Sequence, residues 1–116
     1  MNGMREILPV AARWAGAEQS FAIATVVGVG GSAPREIGAS MVVSASGEVF
    51  GTVSGGCVEG AVYERCLEVL AGAAPHVDRF AYSDADAFAV GLTCGGTIDV
   101  LVRAVPPGSA AAADLQ

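Results

Sequence analysis

The sequence predicts an α+β domain, with a mixed, mainly antiparallel sheet packed against two helices. Three observations carry this. Two stretches place apolar residues at helical spacing, at residues 4–17 and 58–70. Several short β-branched runs lie between and after them. Two of those runs are joined by Ser46-Gly47, a hairpin signal.

In the first helical stretch Ile7, Leu8, Ala11, Ala12 and Ala15 share a face, with Arg5, Glu6, Arg13 and Glu18 around them. Pro9 lacks an N–H and suits only a first turn, so the regular helix is expected to start near Ile7 or to kink there. Residues 21–29, FAIATVVGV, form a nearly continuous apolar run, the pattern of a central strand buried on both faces. Residues 30–38 carry three glycines and a proline and read as a loop. Residues 40–45 and 48–54 read as the hairpin strands. The second helix puts Val58, Ala61, Val62, Cys66, Val69 and Leu70 on one stripe and Glu59, Glu64 and Glu68 off it, with Gly72 as its stop. Residues 77–83 suit a short strand, and residues 84–92 fit no single pattern. Residues 97–102, TIDVLV, alternate as a last strand. The domain is expected to span residues 1–105, and the tail from Pro106 to be disordered.

Composition excludes several classes. With 116 residues and 53% hydrophobic content, 16 of the residues being valine, the chain can bury one core. Its 16 glycines follow no Gly-X-Y period, so it is not collagen-like. No apolar run reaches the ~18 residues of a membrane span. Net charge is −6 and all six basic residues are arginines scattered along the chain, which argues against a nucleic-acid surface. The first sixteen residues lack the apolar run of a signal peptide, so the expected compartment is the cytoplasm. Three cysteines, an odd number, do not suggest a disulfide framework there.

The glycines cluster in three groups: Gly28/Gly30/Gly31, Gly55/Gly56 and Gly95/Gly96. Each stands where a strand meets a turn, and glycine there permits positive φ or close backbone approach to a ligand. The same groups would also serve as plain tight turns. Gly28 to Ala33 fits a dinucleotide fingerprint, but that motif must open a helix, and Pro34, Gly38 and a strand follow instead. Ser54-Gly55-Gly56-Cys57 leads into the second helix, whose unpaired N–H groups favour anions and a Cys57 thiolate. A thiolate can act as nucleophile, sulfur carrier or soft-metal ligand. Equally, Cys57 could be a small cap residue. Cys94 has a similar glycine context, whereas Cys66 lies on the helix stripe and reads as a buried core thiol. No C-x₂-C pair or histidine cluster suggests zinc. His76, the one histidine, follows Pro75 and is expected to be a solvated loop residue. Arg35, in a Gly/Ser/Pro loop, can clamp phosphate or carboxylate, or pair with Glu36. Ser32 and Ser54 can donate to an anion or cap turns.

Gly31-Ser32-Ala33-Pro34-Arg35, then Gly38-Ala39-Ser40-Met41-Val42-Val43, then Ser54-Gly55-Gly56-Cys57-Val58-Glu59, then Cys94-Gly95-Gly96 resemble the XdhC/CoxI family over residues 5–105. The resemblance implies an accessory chaperone for xanthine dehydrogenase-type molybdenum hydroxylases. Such a chaperone binds the pyranopterin molybdenum cofactor, and helps its sulfuration with a cysteine desulfurase and its insertion into the apo-enzyme. It implies Ser32, Arg35, Ser54, Gly55, Gly56, Cys57, Cys94 and Gly95 as cofactor-site residues, with Cys57 as thiolate or sulfur carrier and Cys57 and Cys94 as molybdenum contacts. Many family members add a Rossmann-like domain that these 116 residues do not hold. Two other readings stand beside it: a Cys57-dependent acyl- or sulfur-transfer enzyme, and a non-catalytic module for homodimerisation or other contacts.

Overall fold

A computed structural model describes residues 4–30, 37–53, 59–81 and 97–109. They form helix α1 (Met4–Gly16), strands β1 (Phe21–Gly30), β2 (Ser40–Ser44) and β3 (Val49–Gly51), helix α2 (Glu59–Leu70), and strands β4 (His76–Ala81) and β5 (Thr97–Val105). The strands make one five-stranded sheet in the order β3-β2-β1-β5-β4. Every described pairing is antiparallel. The expected α+β class holds, with two helices and a single sheet.

Alternation along the strands sends side chains to two faces, and each face receives one helix. Ala22, Ala24, Val26, Met41, Val43, Ile98, Val100 and Val102 pack against Val62, Cys66 and Val69 of α2. Phe21, Ile23, Val42 and Val105 pack against Ile7, Val10, Ala11, Trp14 and Ala15 of α1. Trp14 and Phe21 meet edge to face with ring centroids 5.7 Å apart, a favoured aromatic geometry. β1 is central as expected, but it is buried on both faces only through Ala24. Val27 and Val29 near its end are exposed.

Helix α1 begins at Met4, one turn earlier than Pro9 suggested. The proline removes the N–H that would bond the Arg5 carbonyl. It lies on the exposed side, however, while the apolar stripe from Ile7 to Ala15 holds the helix on the sheet. The α2 stripe is as expected at Val62, Cys66 and Val69, and burial pushes the Cys66 thiol up to about 12. Its first expected member, Val58, and the unassigned residues 84–92 lie outside the described residues. So do residues 110–116 of the tail, while Pro106–Ser109 close a turn, Ser109 N–H donating to the Pro106 carbonyl at 3.3 Å.

Gly51 is closely enclosed by α1 and β2. Its φ is +88°, and a Cβ there would lie 2.5 Å from the Ser40 carbonyl oxygen and 2.9 Å from Cγ2 of Ile7. Only glycine lets the β3 edge pass beneath α1.

His76 is not a loop residue; it opens β4. Its Nδ1–H donates to the Ala74 carbonyl at 2.9 Å, and its Nε2 lies 2.8 Å from Asp78 Oδ2. Arg65 of α2 lies 3.4 Å from the same oxygen and also bonds Glu68. The Ala74 carbonyl and the charge of Asp78 hold the His76 pKa above its ordinary value. A raised folded pKa means the imidazolium contributes stability below the unfolded pKa of ~6.5, and that contribution is lost as pH rises through the folded value.

Three outcomes follow from the packing. Gly51→Ala is expected to destabilise the fold by roughly 2 kcal/mol in chemical denaturation, from left-handed strain and the clash beneath α1. A loss no larger than that of an exposed-site alanine would contradict this. Native Cys66 is expected to resist alkylation at pH 8 and to react fully once unfolded, as read by peptide mass spectrometry. In an NMR titration His76 is expected to show a midpoint above ~6.5 that falls in Asp78→Asn.

Candidate functional site

Strand direction decides where the connecting segments emerge. β1 and β3 are both antiparallel to β2, and β1 and β4 are both antiparallel to β5. β1, β3 and β4 therefore run the same way. Residues 31–36 follow β1, residues 54–58 follow β3 and Val53, and residues 82–96 follow β4. All three segments are thus anchored toward one end of the sheet. Gly30 pairs with Thr97, and Thr97 pairs with Ala81, so the anchors of the first and third segments are adjacent strand neighbours. The first segment returns through Gly38, whose N–H donates to the Val26 carbonyl at 2.8 Å, while Val26 N–H donates to the Ala39 carbonyl at 2.9 Å.

The second segment is closed at its base by one carboxylate. Glu59, the first residue of α2, takes the Val53 N–H on Oε2 at 3.0 Å, and the same oxygen accepts the Thr52 hydroxyl. Helix α2 then descends the sheet: Tyr63 reaches toward Gly47 at the far hairpin, and Arg65 toward Asp78. Its N-terminus, with the anion-favouring end of its dipole, accordingly points to the end where the three segments are anchored.

The third segment has a clasp of another kind. Arg79 and Asp99 are opposite one another on β4 and β5, two residues below Ala81 and Thr97. Arg79 Nε donates to Asp99 Oδ1 at 2.9 Å and its Nη2 to Oδ2 at 3.4 Å. That bonding holds the Asp99 carboxyl below the usual carboxylate range and the guanidinium above its own. The pair is exposed, so it orients more than it stabilises.

The first glycine group takes on a structural reason here. A β-bulge falls between Val26 and Gly28, and Gly28 then faces Asp99 while Gly30 faces Thr97. A Cβ at Gly28 would lie 2.9 Å from Asp99 Oδ2, and one at Gly30 would lie 2.9 Å from Thr97 Oγ1. Neither glycine has a positive φ. They make room for strand partners, and no ligand is needed to account for them.

Ser32, Arg35, Ser54, Gly55, Gly56, Cys57, Cys94 and Gly95 all lie outside the described residues. The anchors of their segments share one end of the sheet; the side chains themselves are not described. Cys57 stands two residues before α2. Cys66, buried in the α2 core, belongs to no site. His76 starts β4, at the end of that strand away from Ala81, about 17 Å along the strand axis. Already engaged by Ala74 and Asp78, it offers no support for a Cys–His pair. Among the described residues no three His, Cys, Asp or Glu side chains gather as a metal site. No described helix is long and apolar enough to cross a membrane.

Sequence reasoning missed Glu59, Thr52, Arg79 and Asp99. Glu59 stood in the Ser54–Glu59 block as a helix-surface residue, and only its contact with Val53 reveals its second role. Arg79 and Asp99 are 20 residues apart, so register alone brings them together.

Comparison with known proteins agrees with this architecture. The chain is 42% identical over 84 residues to the uncharacterized protein YqeB of Escherichia coli strain K12, covering 71% of this chain and 15% of that protein. It is 36% identical over 81 residues to the molybdenum cofactor insertion chaperone PaoD of the same strain, covering 70% of this chain and 25% of the relative. A crystal structure of a xanthine dehydrogenase from Bacillus halodurans superposes with a TM-score of 0.73 at 28% identity, covering 93% of this chain and 32% of that one. The chain thus spans a quarter or less of the length of these two curated relatives. The profile of the XdhC and CoxI family matches residues 14–81, more than half of the 116, and the chain belongs to that family.

Proposed function

We propose that this chain is an accessory factor that carries the molybdenum cofactor as cargo to an apo molybdenum hydroxylase, and is not itself a catalyst. The observation that carries the reading is the common anchoring of the three glycine-bearing segments at the end of the sheet toward which α2 points its N-terminus. The cargo is anionic at its phosphate and soft at its molybdenum–sulfur end. Helix N–H groups and an arginine suit the phosphate, and thiolates suit the metal. In this proposal the Gly55-Gly56 turn and Arg35 hold the phosphate, with Ser32 and Ser54 donating to it. Cys57, with Cys94 and Gly95 beside it, meets the molybdenum or its terminal sulfur. The relative named as a molybdenum cofactor insertion chaperone supports the cargo. The finer proposal adds a cysteine desulfurase as sulfur donor, and sulfuration before insertion, in the cytoplasm.

Purified protein mixed with molybdenum cofactor and passed through gel filtration is expected to retain it. Cys57→Ala is expected to weaken retention by tenfold or more, the equivalent of ~1.4 kcal/mol. Equal retention and equal delivery by Cys57→Ala to an apo molybdenum hydroxylase would remove Cys57 from the site.

A further inference from the structure

We infer that the cleft between α1 and the β2–β3 hairpin is a binding site for a free α-amino acid with an apolar side chain, held as a zwitterion. The inference is independent of the cargo reading above. The cleft has a volume of about 410 Å³, within the ~300–1,000 Å³ of small-molecule sites. α1 supplies one wall and the hairpin residues from Glu48 to Phe50 supply the other. Val10, Arg13 and Trp14 are spaced i, i+3 and i+4, so they share one face of the helix. The floor is already built: Val10 is 8% and Trp14 7% exposed, and the indole is held edge to face against Phe21. Phe50 lies opposite Val42, which packs against α1, so its ring rises on the same side of the sheet, 44% exposed. Gln19 Nε2, on the α1 side, donates to Ser46 Oγ of the hairpin turn at 3.2 Å and joins the two walls.

The charges select the ligand. Arg13 stands on the helix wall and Glu48 on the hairpin wall, and they do not pair with each other. Among the described residues the Arg13 guanidinium has no hydrogen-bond or ion-pair partner, and the Glu48 carboxylate meets no cation. The described donor to that carboxylate is the Ser46 hydroxyl, at 3.4 Å from Oε1. A simple anion would meet Glu48 as well as Arg13, and a simple cation the reverse. A ligand that carries both charges beside an apolar group suits both walls. Its carboxylate takes the guanidinium, its ammonium faces Glu48, and its side chain lies on Val10, Trp14 and Phe50. Glu48 and Phe50 belong to the hairpin end of β3, and the glycine-bearing segments are anchored at the other end of the sheet.

Trp14 is the chain's only tryptophan, so its emission reports on the floor of the cleft. The test titrates the full chain with L-phenylalanine, with 3-phenylpropionate, which lacks the ammonium, and with 2-phenylethylamine, which lacks the carboxylate. Trp14 fluorescence and backbone amide NMR shifts are read together. L-Phenylalanine is expected to shift the amides of residues 17–19 and 48–50 and to bind about threefold or more tightly than either analogue, the size of an exposed ion pair. Each charge should be traceable to its wall. Arg13→Gln is expected to bind L-phenylalanine and 2-phenylethylamine alike, and Glu48→Gln to bind L-phenylalanine and 3-phenylpropionate alike. Both side chains are exposed, and circular dichroism is expected to show both variants folded as wild type. Three results would each overturn the site: no amide shift with L-phenylalanine at about 10 mM, shifts confined to other parts of the chain, or equal binding of all three ligands by the wild type.

Discussion

The pairing of β1 with β5 is the constraint on which the rest of the molecule depends. It runs from Phe21 opposite Val105 to Gly30 opposite Thr97, and it lies at the centre of the sheet. β2 pairs with β1 as far as Thr25, Gly38 and Ala39 bond Val26 just beyond it, and among the described residues Gly28, Val29 and Gly30 pair with β5 alone. Fixing β1 against β5 fixes the directions of β3 and β4 in turn, since each is two antiparallel steps or one from that pair. The bulge between Val26 and Gly28 is the one irregularity among the described strand pairings. Bulges re-aim the strand that carries them. Here Val26 still points into the α2 core opposite Val100, and the next paired residue is a glycine opposite Asp99.

A glycine-rich connection has a physical cost that the clasps address. Glycine loses more conformational freedom on ordering than any other residue, so a Gly-Gly turn holds one shape only when its ends are fixed. The two clasps differ in kind. Glu59 ties itself to a residue six positions back, the buried Val53, through a sheltered carboxylate. Arg79 and Asp99 tie adjacent strands through an exposed ion pair, whose geometry is good but whose contribution is screened by water. The stronger clasp closes the shorter segment, the one that carries Cys57.

Much of this fold was legible in the sequence because its signals are local. The 3.6-residue period of α2 exposed Val62, Cys66 and Val69 as core, and Ser46-Gly47 marked the β2–β3 turn, where Gly47 takes a φ of +95°. Pro9 misled because a local rule about N–H loss was overridden by packing of the helix face against Phe21, Ile23 and Val42. His76 misled because a residue after proline reads as loop, while its pairing with Val102 is made across 26 positions. At the candidate site the sequence marked the glycine turns and cysteines as a group, but not what anchors them. Gly28 and Gly30 looked ligand-shaped because a sequence cannot show that Asp99 and Thr97 fill the space beside them. The clasps are non-local hydrogen bonds, and no periodicity encodes them.

The two faces of the sheet differ in the side chains that β1 gives them. On the α1 side β1 presents Phe21 and Ile23; on the α2 side it presents Ala22 and Ala24. Close packing leaves few voids larger than a water molecule, so small sheet residues draw the helix nearer to the backbone. Val62, Cys66 and Val69 fill that layer with Met41, Ile98 and the valines of β2 and β5, and at the start of the same helix Glu59 accepts the Val53 N–H. A bulkier layer would lift the helix start away from the strand end, and a hydrogen bond tolerates only a few tenths of an ångström of such displacement. The core that seats α2 also holds Val53, so the residue to which Glu59 bonds is fixed by the same packing as the helix that carries Glu59.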